Sequence, residues 1–311
     1  MLGRTADNLF WMARYLERAE NIARLLGGTY RMSLMPGDET GSGHEWEKLF
    51  INDGEREAYL SQRKTFSAGG VITFFSLDPE NPSSIRSCIG AARENVRATR
   101  HVLTAELWET INQTWMEIRS MTYRDIRDMG EYEFFAWVKE RSHLFGGIVA
   151  GTMRRGEAYA FWRLGTFIER AENTTRLLAA KADHFHRTAA RQESVADFYQ
   201  LGTLLRTVNA YKTYLEIYRG SPEPRKVAEL LLLKPDMPRS LRTCLDEICL
   251  ILYDLRRTAP CTRSADEMRA RLVSGRIDRI FRSGLDKYLA DFRNHADQLS
   301  VQVQTDFMMV R

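Results

Sequence analysis

The 311-residue chain has little of the raw material for a metal or redox centre. Its four cysteines, Cys88, Cys244, Cys249 and Cys261, show no CxxC spacing, and the six histidines at 44, 101, 143, 184, 186 and 295 are scattered. That argues against a structural zinc site. His184 and His186 flank Phe185, and an i,i+2 spacing near a helix end turns the two rings to different faces. No run of about 18 apolar residues occurs, and the opening MLGRTAD leads directly into a charged amphipathic stretch with no signal-peptide h-region. A cytoplasmic chain with reduced thiols and no membrane contact is therefore expected. An excess of one charge is also missing: 45 Lys and Arg stand against 41 Asp and Glu, a net +4. This is too balanced for a protein whose affinity comes from neutralising nucleic-acid phosphates. Neither a Gly-rich phosphate loop, nor a dinucleotide fingerprint, nor a nucleophile with a nearby base stands out, so no cofactor is implied.

What is present is helical periodicity. Apolar residues make up 44% of the chain, enough for a sizeable core. Helical spacing covers roughly 6–32, 84–126, 132–151, 156–189, 194–218, 224–233, 240–257, 264–273 and 277–305. The class expected is all-α, a multi-helix bundle. Thr5 or Asp7 can cap the first helix and Gly27-Gly28 loosens its end. MPGDETGSG at 35–43 is the clearest loop, and LDPENPSS at 77–84 is a turn into a capped helix. VITFF at 71–75 has no strand to pair with and reads as helix or buried connector. No polar linker divides the chain, so residues 1–311 are expected to form one bundle-like domain.

One segment occurs twice. NLFWMARYLERAENIARLL at 8–26 returns as AFWRLGTFIERAENTTRLL at 160–178, an offset of 152 residues, implying two pseudo-symmetric halves. At 100° per residue, Trp11, Ile22, Tyr15, Leu26, Ala19, Met12, Ala23 and Leu16 form an apolar arc. Glu20, Arg24, Glu17, Asn21, Arg14 and Arg18 fill the opposite arc, as Glu172, Arg176, Glu169, Asn173 and Arg170 do in the second copy. The apolar arc drifts between copies, with Trp11 against Arg163 and Ile22 against Thr174, while the ERAEN core and the following Arg are identical. Each polar arc also holds an aromatic and a leucine, Phe10 with Leu25 and Trp162 with Leu177, which a fully wet face rarely keeps. A third, weaker echo, AARENVRATR at 91–100, supplies Arg93, Glu94, Asn95, Arg97 and Arg100.

This polar surface has three readings. Arginines can grip a carboxylate or phosphate bidentately while glutamates orient them or carry protons. The acid/base candidates are then Glu17, Glu20, Glu169 and Glu172. The binding candidates are Arg18, Asn21, Arg24, Arg93, Glu94, Asn95, Arg97, Arg170, Asn173 and Arg176. Alternatively, i,i+4 Glu-Arg pairs form a salt-bridge seam. A divalent cation between the ExxE pairs is the weakest reading, because the adjacent arginines repel it and no Glu-x-x-His accompanies the motif; no metal ligand is assigned. Ser83, Ser84 and Pro238-Arg239-Ser240 begin helices and act as caps or as anion cradles.

The stretches RTADNLFWMARYLERAENIARLL, NPSSIRSCIGAARENVRATR, EAYAFWRLGTFIERAENTTRLL and LLLKPDMPRSLRTCL together resemble the bacterial alpha-E family, named for its ER motif. The resemblance runs the length of the chain. It implies a wholly helical fold and association with a circularly permuted ATP-grasp protein, with transglutaminase-like peptidases and sometimes with a proteasome-like peptidase. Such company implies amide or peptide-bond ligation or tagging, and a small anionic or peptide ligand, without assigning a reaction to this subunit. The alternatives are a non-catalytic adaptor that docks the ATP-grasp ligase and a metal-dependent hydrolase. Arg14 becomes Thr166 in the second copy, so a role requiring Arg14 in both halves is doubtful.

Overall fold

A computed structural model of the chain describes residues 1–34, 43–50, 53–180, 185 and 195–308. Of the expected loop at 35–43 all but Gly43, which begins a helix, lies outside the described residues, as do His184, His186 and the break between the fourth and fifth expected helices. Among the described residues all regular structure is helical, so the chain is all-α. The chain divides into two compact units, Met1–Thr166 and Phe167–Arg311. The boundary falls inside a helix, which is why composition marks no linker there.

The first unit contains α1 (Gly3–Ser33), α2 (Gly43–Glu47), α3 (Asp53–Gln62), α4 (Ala68–Ser76), α5 (Ile85–Ala98), α6 (Ala105–Ile118), α7 (Tyr123–Met129), α8 (Glu131–Thr152) and the start of α9 (Glu157–Ala179). Its central element is α1, packed against α5 and α8. The helix already begins at Gly3, with Leu2 at the cap position and no side-chain cap. Thr5 and Asp7 are thus inside the first turns, and Asp7 instead accepts a hydrogen bond from Trp11 while partial burial pushes its carboxyl up. Gly27 and Gly28 do not end the helix. Both are buried, Gly27 beside Phe135 of α8, and the neighbouring helix holds the turn in place.

VITFF lies in α4, capped by Ser67, whose hydroxyl accepts from the Gly70 amide at 3.2 Å. Phe74 and Phe75 join Phe50, Tyr59 and Phe66 in a satellite aromatic cluster. The expected helix 84–126 is three helices. Thr99, whose hydroxyl bonds back to the Asn95 carbonyl at 2.8 Å, ends α5, and a Thr122–Asp125 capping box opens α7. Ser84 caps α5 through the Ser87 amide and is fully buried, so at that helix start the cap reading holds.

The second unit contains the rest of α9, then α10 (Val195–Thr207), α11 (Tyr211–Tyr218), α12 (Pro224–Leu233), α13 (Leu241–Arg256), α14 (Pro260–Val273), α15 (Ile277–Ser283) and α16 (Leu285–Phe307). Asn209 at φ 57° separates α10 from α11, and Gly284 at φ 95° separates α15 from α16. Each of these breaks was expected as continuous helix. Ser240 caps α13 through the Thr243 amide at 3.0 Å. The core packs Leu230, Leu231 and Leu232 of α12 with Leu245, Ile248 and Leu252 of α13, Leu272 of α14 and Leu289 and Val303 of α16, all buried.

Candidate functional site

The duplicated motif sits on α1 and α9, and in α1 its charged arc is buried. Glu17, Glu20, Asn21, Arg14 and Arg24 are buried, as is Phe10, whereas Trp11, Tyr15 and Ile22 of the expected core arc are only half-buried. Neighbours therefore pack on both sides of α1, in line with the aromatic and leucine set inside its polar arc. Part of the reason is Gly165 of α9. A Cβ there would lie 2.2 Å from the Phe10 carbonyl oxygen and 3.1 Å from Ala13 Cβ, so glycine lets α9 reach the α1 backbone on its Phe10 side.

Burying ions is expensive unless they are paired and hydrogen-bonded, and Glu20 meets both conditions. Arg24 Nε and Nη2 each lie 2.8 Å from Glu20 Oε1, and the Ser142 hydroxyl donates to Oε2 at 2.8 Å. His143 Nε2 stands 3.4 Å from the same Oε1 and 3.3 Å from Arg24 Nη2, with its side chain 57% exposed. One nitrogen cannot both donate to Glu20 and accept from Arg24. The imidazole tautomer thus selects which partner it engages. Ser142 and His143 belong to α8, which runs antiparallel to α1: Glu20 meets Ser142, Gly27 meets Phe135, and Arg31 lies over the Tyr132 ring. Lys139 faces the same seam, and burial, then Arg24 and Arg31, lower its pKa against the pull of Glu20 and Glu140.

In both copies the arginine of the ER pair is half-buried over an aromatic ring three residues earlier. Arg18 lies 5.8 Å from the Tyr15 centroid, and Arg170 lies 5.3 Å from that of Phe167. In the second unit Glu169 and Glu172 are buried, while Asn173 and Arg176 are half-buried. Thr174, where the first copy has Ile22, donates its hydroxyl to the Arg239 carbonyl at 2.8 Å just before α13. That explains the drift: the position meets a backbone acceptor in the second unit. Arg14 stacks on Phe10 and Trp11, whereas the Thr166 hydroxyl bonds back to the Trp162 carbonyl.

The third echo is at the surface. Glu94 and Arg97 are exposed and paired with each other at 2.7 Å. Asn95 is half-buried, and Arg93 bonds Glu94 and the Asn112 side chain while lying over Trp108. The structure thus places Arg93, Glu94, Asn95 and Arg97 in a more exposed setting than the buried glutamates of α1. Sequence reasoning missed Lys139, Ser142 and His143, because the mixed face of α8 looks like any helix surface, and Arg31, because it lies on α1 beyond the repeated segment. Among the described residues no three His, Cys, Asp or Glu side chains are grouped so as to hold a metal ion, and no helix is long and apolar enough to cross a membrane. Burial pushes the Cys249 and Cys261 thiols up to about 12, away from nucleophilic use.

An all-helical chain whose buried helix faces carry a repeated Glu-Arg pair is the class of protein defined by these observations. Over residues 1–308 the chain belongs to the Alpha-E family, described as a predicted alpha-helical domain with a conserved ER motif. It is similar to an uncharacterized protein of Mycobacterium bovis and to uncharacterized proteins of two strains of Mycobacterium tuberculosis, at 25% identity over 321 residues in each case. Those alignments cover 93% of this chain but 34% of each relative, so the chain spans about a third of their length. No solved structure matches.

Proposed function

We propose that the chain is the helical component of an ATP-grasp-associated pathway of amide or peptide ligation or tagging, and that it holds a carboxylate-bearing or phosphorylated intermediate. The observation that carries this reading is the burial of the recurrent charged arc beside an exposed edge. Glu20 and Arg24 are almost wholly buried, yet His143, in contact with both, is open to solvent. Such a layout presents a preorganised, poorly hydrated electrostatic surface to a ligand, where each ionic contact is stronger than in water. Glu20, engaged by Arg24 and Ser142, fits an orienting role better than that of a proton acceptor.

The adaptor reading, in which the chain docks the ATP-grasp ligase without doing chemistry, is favoured by the same Glu20–Arg24 pair, because mutually satisfied charges also make a good seam. Co-purification separates the two. If the chain only docks the ligase, the complex survives His143→Gln and Glu169→Gln, and so does flux through the pathway. If it handles the intermediate, the complex survives but flux falls. Turnover of an isolated intermediate by the purified chain, lost in Glu169→Gln, would exclude the adaptor.

A further inference from the structure

The antiparallel register of α1 on α8 stacks cations that carboxylates do not match. Arg31 and Lys139 each lie 5.7 Å from the centroid of the same Tyr132 ring. Among the described residues neither makes an ion pair with a carboxylate. A ring face attracts a cation through its quadrupole but leaves the charge in place. Arg31 Nε is moreover buried without a hydrogen-bond partner, an arrangement that costs stability unless something supplies an acceptor. Arg24, Arg31 and Lys139 together carry three positive charges, and the facing carboxylate, Glu20, answers one of them. Glu140, exposed on the outer side of α8, is the weakest of the charges felt by Lys139.

We propose that the edge of the α1–α8 seam formed by Arg31 and Lys139 beside Tyr132 binds a phosphoryl dianion, the phosphate end of a phosphorylated substrate or intermediate. The charge count chooses the ligand: two unanswered cations suit a dianion, whereas a carboxylate would answer only one. The donors suit it as well, since a guanidinium offers a fork and an ammonium a point charge. Glu133 and Glu140, exposed on the same helix, repel a long polyanion, which selects a small phosphate over nucleic acid or an anionic membrane. The inference rests on the reading that the chain handles an anionic intermediate, and adds that the anion is a phosphate held by residues outside the repeated motif.

The test is a thermal-unfolding titration of the purified full chain with inorganic phosphate, and separately with acetate at matched ionic strength. It is run at about pH 8, where phosphate groups are doubly charged. Phosphate should raise the unfolding midpoint saturably and acetate should not. Lys139→Gln and Arg31→Gln should each weaken the apparent phosphate affinity about tenfold, the loss of one charge-assisted hydrogen bond. Lys139→Arg should keep it, and Lys212→Gln, on α11 of the second unit and 91% exposed, should leave it unchanged. Equal responses to acetate and phosphate, or wild-type titrations in folded Lys139→Gln and Arg31→Gln, overturn the proposal. Should either variant fail to fold, the unaltered chain still decides: phosphate must slow acetylation of Lys139, mapped by mass spectrometry, but not of Lys212, and equal protection or none overturns the site. A chain that ignores phosphate yet supports pathway flux sinks this inference alone and leaves the functional reading standing.

Discussion

Arg24 and Lys139 are neighbours of like charge with opposite consequences for stability. Removing Arg24 strips a buried carboxylate, 4% exposed, of its guanidinium, and breaking a buried pair in this way costs roughly 3 to 5 kcal/mol. Arg24→Ala is therefore expected to lower the denaturation midpoint strongly, and adding Glu20→Gln should recover part of the loss; strict additivity in this double-mutant cycle would refute the pairing. Lys139 works the other way. Its folded-state pKa is lowered, so just below the ordinary lysine value of about 10.4 the unfolded chain binds more protons than the folded one, and stability rises with pH through that window. Below the folded pKa the full cost of the charge is present. Lys139→Met should thus be more stable than the parent near neutrality, with the gap narrowing as pH climbs towards the unfolded value; a gap that widens with pH would contradict the assignment. The buried charges of α1 were legible in the sequence, because an aromatic and a leucine set inside a polar arc signal contact rather than solvent. Ser142 and His143 were not legible, since what gives them meaning is the α1–α8 register, which is a tertiary fact.

Helix α9 meets α1 through Gly165, and a substitution there separates close packing from helix propensity. An alanine Cβ would overlap the Phe10 carbonyl oxygen at 2.2 Å, and a backbone atom cannot swing away. Gly165→Ala should cost at least about 3 kcal/mol, the upper end of ordinary overpacking. Gly147 of α8 has nothing within 4 Å of its added Cβ, so Gly147→Ala should instead stabilise by up to about 1 kcal/mol through helix propensity. Urea denaturation of both variants checks the contrast, and equal effects would remove the close approach as an explanation. At this scale the class of element was readable from period alone, and even VITFF fell correctly to helix. The breaks were not. Thr99, Asn209 and Gly284 end helices where the apolar spacing runs on, because a side chain bonding back to its own helix or a single positive φ interrupts the hydrogen-bond ladder without disturbing the hydrophobic pattern.

Across the whole chain, the two ERAEN cores lie in different compact units, while the second repeat at 160–178 straddles the division at Thr166 and Phe167, which composition does not mark because a continuous helix carries it. The repeat is seen over one helix in each copy, α1 and α9. Each copy supplies two arginines for two glutamates: Arg18 and Arg24 with Glu17 and Glu20, Arg170 and Arg176 with Glu169 and Glu172. A hard divalent cation needs a surplus of carboxylate oxygens, and in the first unit one carboxylate is already committed to a guanidinium and a hydroxyl. Arginine, which keeps its proton and forks onto oxyanions, turns such a balanced set towards anions instead. The unfolding midpoint of the purified chain should therefore be indifferent to a strong chelator while responding to phosphate, a ligand that stabilises by binding the folded state alone. Elemental analysis showing one divalent metal per chain, together with a midpoint that falls on chelation and is restored by the metal, would overturn the anion reading and put a carboxylate-bound metal, and with it hydrolytic chemistry, in its place.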